Sequence, residues 1–311
     1  MGQTIACANQ KGGVGKTTTV VNLATALALA GRRVLVVDLD PQGNATSGFG
    51  IDRSGLDGTL YEVLLEGRDL PSVIVPTGVG GCDVAPASVA LAGAEVELAS
   101  SPQRERRLGR ALTGIGDRYD EILLDCPPSL GLLTVNALTA ATSVLIPTQC
   151  EYYALEGLSQ LIATLNLVRD NLNPSLAIKG VVLTMFDART NLSADVASEV
   201  RGHFGPAVFE TVIPRSVRLS EAPSFGLPIA LYRADSRGAE AYAALAAELL
   251  RRDLRAPTAP GSPPTSTTTE PAVPESRWEA AIPVIQAGAT ERAGATEPAG
   301  ATEPAAMGAR S

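Results

Sequence analysis

Gln10-Lys-Gly-Gly-Val-Gly-Lys-Thr-Thr18 is the stretch on which the reading of this chain turns. It follows an apolar, β-branched run, Thr4-Ile-Ala-Cys-Ala8, and opens an alanine-rich segment, Thr17 to Ala30, with the pattern of a helix. Strand, glycine loop and helix in that order are the setting of a phosphate-binding loop. Gly12, Gly13 and Gly15 let the main chain turn its N–H groups inward, with Val14 and Thr18 beside them, and the helix N-terminus adds positive potential. Lys16 is then placed to reach the outer phosphates, and the Thr17 hydroxyl to ligate Mg2+. A glycine turn that merely joins strand to helix would not need Gly-Lys-Thr at this point. Two departures from the ordinary loop stand out: Gln10 replaces its first glycine, and a second lysine, Lys11, precedes the glycine pair.

Working outward, a second apolar run, Arg33 to Asp38, continues as Asp38-Leu-Asp-Pro-Gln-Gly-Asn44 and delivers Asp38 and Asp40 to the carboxyl end of a strand. Ligands of open α/β sheets bind at such ends. A third run, Ile122-Leu-Leu-Asp-Cys-Pro-Pro128, places Asp125 after hydrophobic residues, the pattern of a strand that holds Mg2+ through water. Asp at a strand end also caps turns, which is the bland alternative for all three. Further strands are expected at Ser143–Pro147 and Ile178–Thr184. Helices are expected at Thr59–Leu65, Val89–Ser100, Glu105–Leu112, Leu132–Ala141, Leu155–Asn171, Ser193–Phe204 and Arg237–Arg252. Short β-branched runs alternating with helices predict an α/β fold, a mostly parallel twisted sheet with helices on both faces, of the P-loop NTPase kind.

Near Arg255 the composition shifts to Pro, Ala, Thr, Gly and Glu, and three six-residue Gly-Ala-Thr-Glu units begin at Gly288, Gly294 and Gly300. Residues 1–255 are therefore expected to fold as one domain, and 256–311 to form a disordered tail. The tail's Trp278–Ile285 patch carries the chain's one Trp and is read as solvated, with docking on a partner as the alternative. A net charge of -8 argues against a surface that coats nucleic acid throughout, while leaving room for a local basic patch. With 3 lysines against 22 arginines, arginine content by itself says little about function. Cys7, Cys82, Cys126 and Cys150 include no Cys-x-x-Cys pair, which disfavours zinc and iron-sulfur sites and fits a reducing cytoplasm. Cys126 is assigned to packing, and His203 to a structural place at a helix end. Neither a secretory leader nor a membrane span is expected: the uncharged stretch Thr17–Gly31 is too short and carries Asn22 and several threonines.

The doubled lysine makes the loop resemble that of the deviant Walker A ATPases, the family that includes ParA/Soj and MinD. That resemblance implies ATP as the nucleotide and Lys11 as a signature lysine that contacts ATP across a dimer interface. It makes Asp40 the residue that orients the attacking water and a contributor with Thr17 and Asp125 to the Mg2+ site, with Pro41–Asn44 as a nucleotide-sensing switch. Over most of residues 1–255, Thr184-Met-Phe-Asp-Ala-Arg-Thr-Asn191 and Ile213-Pro-Arg-Ser-Val-Arg-Leu-Ser-Glu-Ala-Pro-Ser-Phe-Gly226 are similar to the chromosomal ParA/Soj branch. The branch implies an ATP-bound homodimer that binds double-stranded DNA without sequence preference through Arg189 and Arg218, and a ParB-type partner that stimulates weak intrinsic hydrolysis. It further implies a nucleoid-associated location and an adenine contact at Pro214. Arg215 is as readily explained by solubility. No N-terminal operator-binding domain is expected, because the first strand begins near Thr4. A membrane-associated positioning ATPase of the MinD type is the alternative. Against it, the helix from Arg237 is small and alanine-rich, without the basic and bulky apolar faces of an interfacial anchor.

Overall fold

Strand β1 (Gln3–Cys7) alternates Ile5 and Cys7 toward one face of a sheet and Ala6 toward the other, and all four residues from Thr4 onward are buried. Burial on both faces is what its continuous apolar run requires, and it places β1 in the middle of the sheet. The computed structural model describes residues 2–151 and 154–255; the expected tail, 256–311 with its Trp278 patch, lies outside the described residues. The other strands are β2 (Val34–Asp38), β3 (Val75–Pro76), β4 (Cys82–Ala85), β5 (Glu121–Asp125), β6 (Ser143–Gln149), β7 (Ala177–Phe186) and β8 (Val208–Pro214). They form one sheet in the order β3-β4-β2-β5-β1-β6-β7-β8, parallel throughout except for the short β3 at the edge. The register sets Cys7 and Asp38 directly opposite Asp125, so β1, β2 and β5 end level with one another.

Helices α1 (Lys16–Leu29) and α2 (Asn44–Gly48) pack on one face of the sheet. Helices α3 (Leu60–Leu65), α4 (Leu91–Ala99), α5 (Arg107–Leu112), α6 (Leu132–Ala140), α7 (Ala154–Asn171) and α8 (Asn191–Phe204) pack on the other, and α9 (Val217–Glu221), α10 (Ile229–Tyr232) and α11 (Arg237–Arg255) return to the first. This is the expected α/β architecture with helices on both faces. Three strands, β3, β4 and β8, and three short helices, α2, α9 and α10, add to the expected elements, and the expected helix at Glu105 begins instead as a 3-10 turn, Arg104–Arg106.

Helix α11 is a packing helix. Its Tyr242, Leu245 and Leu249 are buried against α1 and β8. It also covers the free edge of β8: the Glu248 carboxylate accepts the Glu210 and Thr211 N–H groups, both at 2.9 Å, and the Arg252 guanidinium lies 4.0 Å from the Phe209 ring centre. Such cover keeps an edge strand from pairing with another chain. Among the described residues no helix is long and apolar enough to cross a membrane. The uncharged run from Cys126 to Cys150 is instead divided between α6 and β6.

Candidate nucleotide site and basic surface

At the carboxyl end of β1 the chain turns through Gly13 (φ 74°) and Gly15 (φ 86°), left-handed values that suit glycine, before α1 begins at Lys16. The Thr19 N–H reaches back to the Gly15 carbonyl at 2.8 Å, and the Thr184 hydroxyl of β7 donates to the Val14 carbonyl at 2.8 Å. The loop is thus braced from behind by the sheet. Gly12 and Gly13 have open space where a side chain would stand. Lys16 is buried, and its ammonium donates to the Lys11 carbonyl at 3.4 Å, so its side chain runs back along the loop.

Lys11 leaves the loop in another direction. Its main-chain N–H is fixed by the Asn9 side chain at 3.0 Å, and Asn9 is itself anchored on the Pro147 carbonyl of β6 at 2.7 Å. The Lys11 ammonium forms an ion pair with Glu151 at 3.0 Å, and the Glu151 carboxylate also accepts from the Gln149 amide. Both partners of the ion pair are more than one-third exposed, so the pair contributes little stability, on the order of 1 kcal/mol or less, and exchanges readily. The sequence reading did not find Glu151, because it lies 140 residues from Lys11.

The two aspartates at the carboxyl end of β2 and just past it differ in their surroundings. Asp38 is fully buried and accepts from the Thr46 N–H at 2.8 Å and hydroxyl at 2.7 Å, tying α2 to the strand end. Burial pushes its carboxyl up to about 6 despite those bonds. Asp40 is nearly buried, and one of its oxygens accepts the Gln42 N–H at 2.9 Å. Asp125 is unlike either. It is fully buried, and neither oxygen makes a hydrogen bond of ordinary geometry among the described residues, although the Thr17 hydroxyl lies near enough to favour its ionised form. Its carboxyl is held well above the usual range, first by burial and then by Asp38, with Thr17 and Lys16 countering only in part. A buried acid left in this condition calls for an explanation, and a bound cation is one that its chemistry allows.

The donor set fits Mg2+. An orphaned carboxylate beside the Thr17 hydroxyl at the start of a helix supplies hard oxygen ligands. Among the described residues no group of three or more His, Cys, Asp or Glu side chains is arranged to hold a metal alone. Mg2+ here would therefore depend on phosphate and water oxygens as well, as is usual for that ion. Cys7 and Cys126 are buried beside the site with thiols pushed up, chiefly by burial, which leaves them inert packing groups.

On the α1 side a cavity of about 350 Å3 opens between the loop and the ends of β7 and β8. Gly15, Thr18, Thr184, Met185, Pro214 and Tyr242 are among the residues that line it. Pro214 thus stands in the same cavity as the phosphate loop. Met185 adopts φ 51°, strained for a residue with a side chain, at the point where β7 turns toward the cavity. A second cavity, about 150 Å3 and lined by Arg33, Asp83, Arg118 and Tyr119, lies at the opposite strand ends, away from these residues.

Arg189 and Arg218 are both exposed, and each is already engaged by an acid. Arg189 makes two bonds to Asp187, at 2.9 and 2.8 Å, and Arg218 one to Glu221 at 2.7 Å. The segment that carries Arg218 leans on the nucleotide-binding elements. Asn22 of α1 accepts the Ile229 N–H at 2.7 Å, and Gly226 approaches so close to Gly50, just beyond α2, that a Cβ on Gly226 would fall 2.7 Å from the Gly50 Cα. His203 bonds to the Glu199 carbonyl within α8, consistent with a structural place.

A family model described as an AAA domain matches residues 2–178, from the first strand through β6 and into β7. The chromosome partitioning protein ParA of Myxococcus xanthus is 57% identical over 253 residues, which cover 81% of this chain and 89% of that protein. The chain belongs to the ParA/Soj family. The sporulation initiation inhibitor protein Soj of Bacillus subtilis is 59% identical over 249 residues, covering 80% of this chain and 98% of its own. Among solved structures, the cell division ATPase MinD of Pyrococcus furiosus superposes with a TM-score of 0.68 at 30% identity, over 81% of this chain and all of that one. The cobyrinic acid a,c-diamide synthase of Mycobacterium smegmatis, solved with bound ADP and magnesium, gives 0.73 at 40% identity, over 85% of this chain and all of that one. Family membership thus rests on about four-fifths of the chain, the part that carries every site residue above.

Proposed function

We propose that this chain is an ATP-dependent chromosome-partitioning protein, whose ATP-bound homodimer binds double-stranded DNA without sequence preference and releases it after hydrolysis. The observation that carries the reading is the orphaned Asp125 carboxylate near a glycine loop with two lysines, in a chain 57% identical to a chromosome partitioning protein and 59% identical to Soj. Thr17 directly and Asp125 through water would hold Mg2+, which would supply positive charge against the phosphates. Lys16 and the N–H groups of Gly12 to Thr18 hold the β- and γ-phosphates. Asp40 orients a water for attack on the γ-phosphorus; the bond to the β–γ bridging oxygen breaks, and ADP and phosphate leave. The cavity beside Thr18 and Pro214 takes the base.

Lys11 exchanges Glu151 for a phosphate of the nucleotide held by a second copy, an exchange made easy by the exposure of the ion pair. Dimerisation doubles the arginines offered to DNA, and every phosphate contact releases counterions, so the monomer binds weakly and the dimer well. Arg189 and Arg218 make those contacts, and a ParB-type protein stimulates turnover. The protein works in the cytoplasm on the nucleoid, as a domain of residues 1–255 followed by the tail. Co-sedimentation with DNA in ADP, in ATP and without nucleotide, with liposomes run alongside, tests this. Pelleting with DNA in ATP alone is expected. ATP-dependent pelleting with liposomes and not with DNA would overturn the reading in favour of a MinD-like membrane role.

A further inference from the structure

Two successive peptide units just past Asp40 are held in place, and the second of them also returns its Gly43 N–H to the Asp40 carbonyl at 2.8 Å. The Gln42 N–H donates to an Asp40 carboxylate oxygen at 2.9 Å, and the Gln42 carbonyl accepts from the Arg53 guanidinium at 2.7 Å. The next residue, Gly43, sits at φ 63° and has no room for a side chain, because Arg53 fills that space with its Cδ 2.9 Å and its Cζ 3.1 Å from where a Cβ would be. Arg53 therefore lies flat along the loop that joins Asp40 to α2. Its charge goes to a main-chain carbonyl and to no carboxylate among the described residues. The neighbouring Asp52 spends its own carboxylate on the Ser54 N–H and hydroxyl, at 2.9 and 2.8 Å.

A flexible, exposed arginine ordered against a bare backbone loses side-chain entropy for a single neutral acceptor, which is a poor trade on an otherwise free surface. What the contact does fix is the plane of the Gln42–Gly43 peptide, whose N–H holds the Asp40 carbonyl, and so it closes the turn within which the Gln42 N–H meets the Asp40 carboxylate. We propose that Arg53 is a positioning residue for Asp40: it clamps the switch loop so that the carboxylate is aimed before nucleotide arrives. This rests on the reading of Asp40 as the residue that orients the attacking water. A misaimed general base costs rate and not affinity, because the phosphates are held by the loop before α1 and not by residues 40–53.

Full-length wild type, Arg53→Ala, Arg53→Lys, Asp40→Ala and the Arg53→Ala/Asp40→Ala double variant are compared for single-turnover ATP hydrolysis and for equilibrium ATP affinity. Arg53→Ala is expected to slow hydrolysis by about three- to tenfold, the equivalent of one ordinary hydrogen bond, with ATP affinity within about twofold of wild type. Arg53→Lys, which keeps a cationic donor, recovers part of the rate, and the double variant is no slower than Asp40→Ala. A wild-type rate for Arg53→Ala beside an inactive Asp40→Ala overturns the role of Arg53 alone. Loss of ATP affinity in Arg53→Ala without a change in the bound-state rate overturns it as well. A wild-type rate for Asp40→Ala overturns the reading of Asp40, and this inference with it.

Discussion

Replacing Asp125 by Asn should make the nucleotide-free protein more stable while depriving it of magnesium-nucleotide. The side chain keeps its shape and loses its charge. In the wild type that charge is fully buried, makes no hydrogen bond of ordinary geometry among the described residues, and lies opposite Asp38 in the β2–β5 register. An unsatisfied buried polar group costs about 1–3 kcal/mol, and more when charged. An amide escapes the charged part, so a gain of about 1–3 kcal/mol is expected above neutral pH, or roughly 2–10 °C in Tm for a domain of this size.

The sign with pH follows from the raised carboxyls. A group whose folded pKa lies above its unfolded value, 3.8 for Asp, contributes stability that is fully present below that value and lost as pH rises through the folded one. Asp38, pushed up to about 6, and Asp125, held well above its usual range, both act this way. Wild-type stability without nucleotide should therefore fall as pH rises from about 4 through 6 and beyond, and the variant should fall less. Glu121, which burial pushes up to about 7 at the far end of β5, contributes the same slope to both proteins and cancels in the comparison. The gain from Asp125→Asn should thus be small at pH 5 and grow by pH 8. Calorimetry without ligand and with magnesium and ATP is the assay. Ligand at a hundred times its Kd adds about 2.7 kcal/mol to the wild type, an increment the variant should lack. A variant less stable than wild type at pH 8, or one that gains the full ligand increment, would refute the argument.

Lys16→Ala removes the buried cation of the loop and is expected to abolish ATP binding by calorimetric titration; unchanged affinity would show that the site is elsewhere. Arg189→Glu or Arg218→Glu should remove DNA binding yet preserve ATP-dependent dimerisation by light scattering, while Asp187→Asn, which frees Arg189, should tighten DNA binding at low salt. Gly226→Ala is expected to cost about 1–3 kcal/mol in urea unfolding, since its Cβ meets Gly50 and its φ of 63° disfavours alanine. Deleting 256–311 should leave Tm unchanged and, by removing six glutamates against three arginines, tighten DNA binding slightly at low salt only. A fall in Tm of many degrees would move the domain boundary.

The strands that carry the candidate site were legible because each is a buried apolar run, with a candidate carboxylate at the end of β2 and β5 and the glycine loop directly after β1, so one pattern reports both the element and the candidate residues. β4 escaped notice because Cys82-Asp-Val-Ala85 is interrupted by Asp83, whose carboxylate takes the Tyr119 hydroxyl at 2.9 Å. β3, with two residues, and α2, α9 and α10, with four or five, are too short to show a period. β8 did leave a signal in Val208-Phe209 and Val212-Ile213, which the strand reading passed over. The contacts that aim the site were hidden for another reason. Lys11 with Glu151, Asn22 with Ile229 and Gly50 with Gly226 join residues far apart in the chain, and only the order of strands brings them together.

The acids beside the two surface arginines were visible all along, two residues before Arg189 and three after Arg218, and they change how the basic surface must work. Counted as pairs, neither arginine offers net charge to DNA. Arg189 holds the Asp187 carboxyl well below the usual range, so it stays ionised at any working pH and cannot be switched off by protonation. On the proposed reading, DNA would have to displace the acid, and a duplex with one negative charge per about 1.7 Å of axis outcompetes a lone exposed carboxylate only when several contacts form at once. A single chain offers two such arginines and a two-fold dimer offers four. In the proposed ATP-bound dimer the internal pairs would then work in the same direction as dimerisation, suppressing the weak binding of the monomer more than the multiple binding of the dimer, and so sharpening the difference between the two nucleotide states.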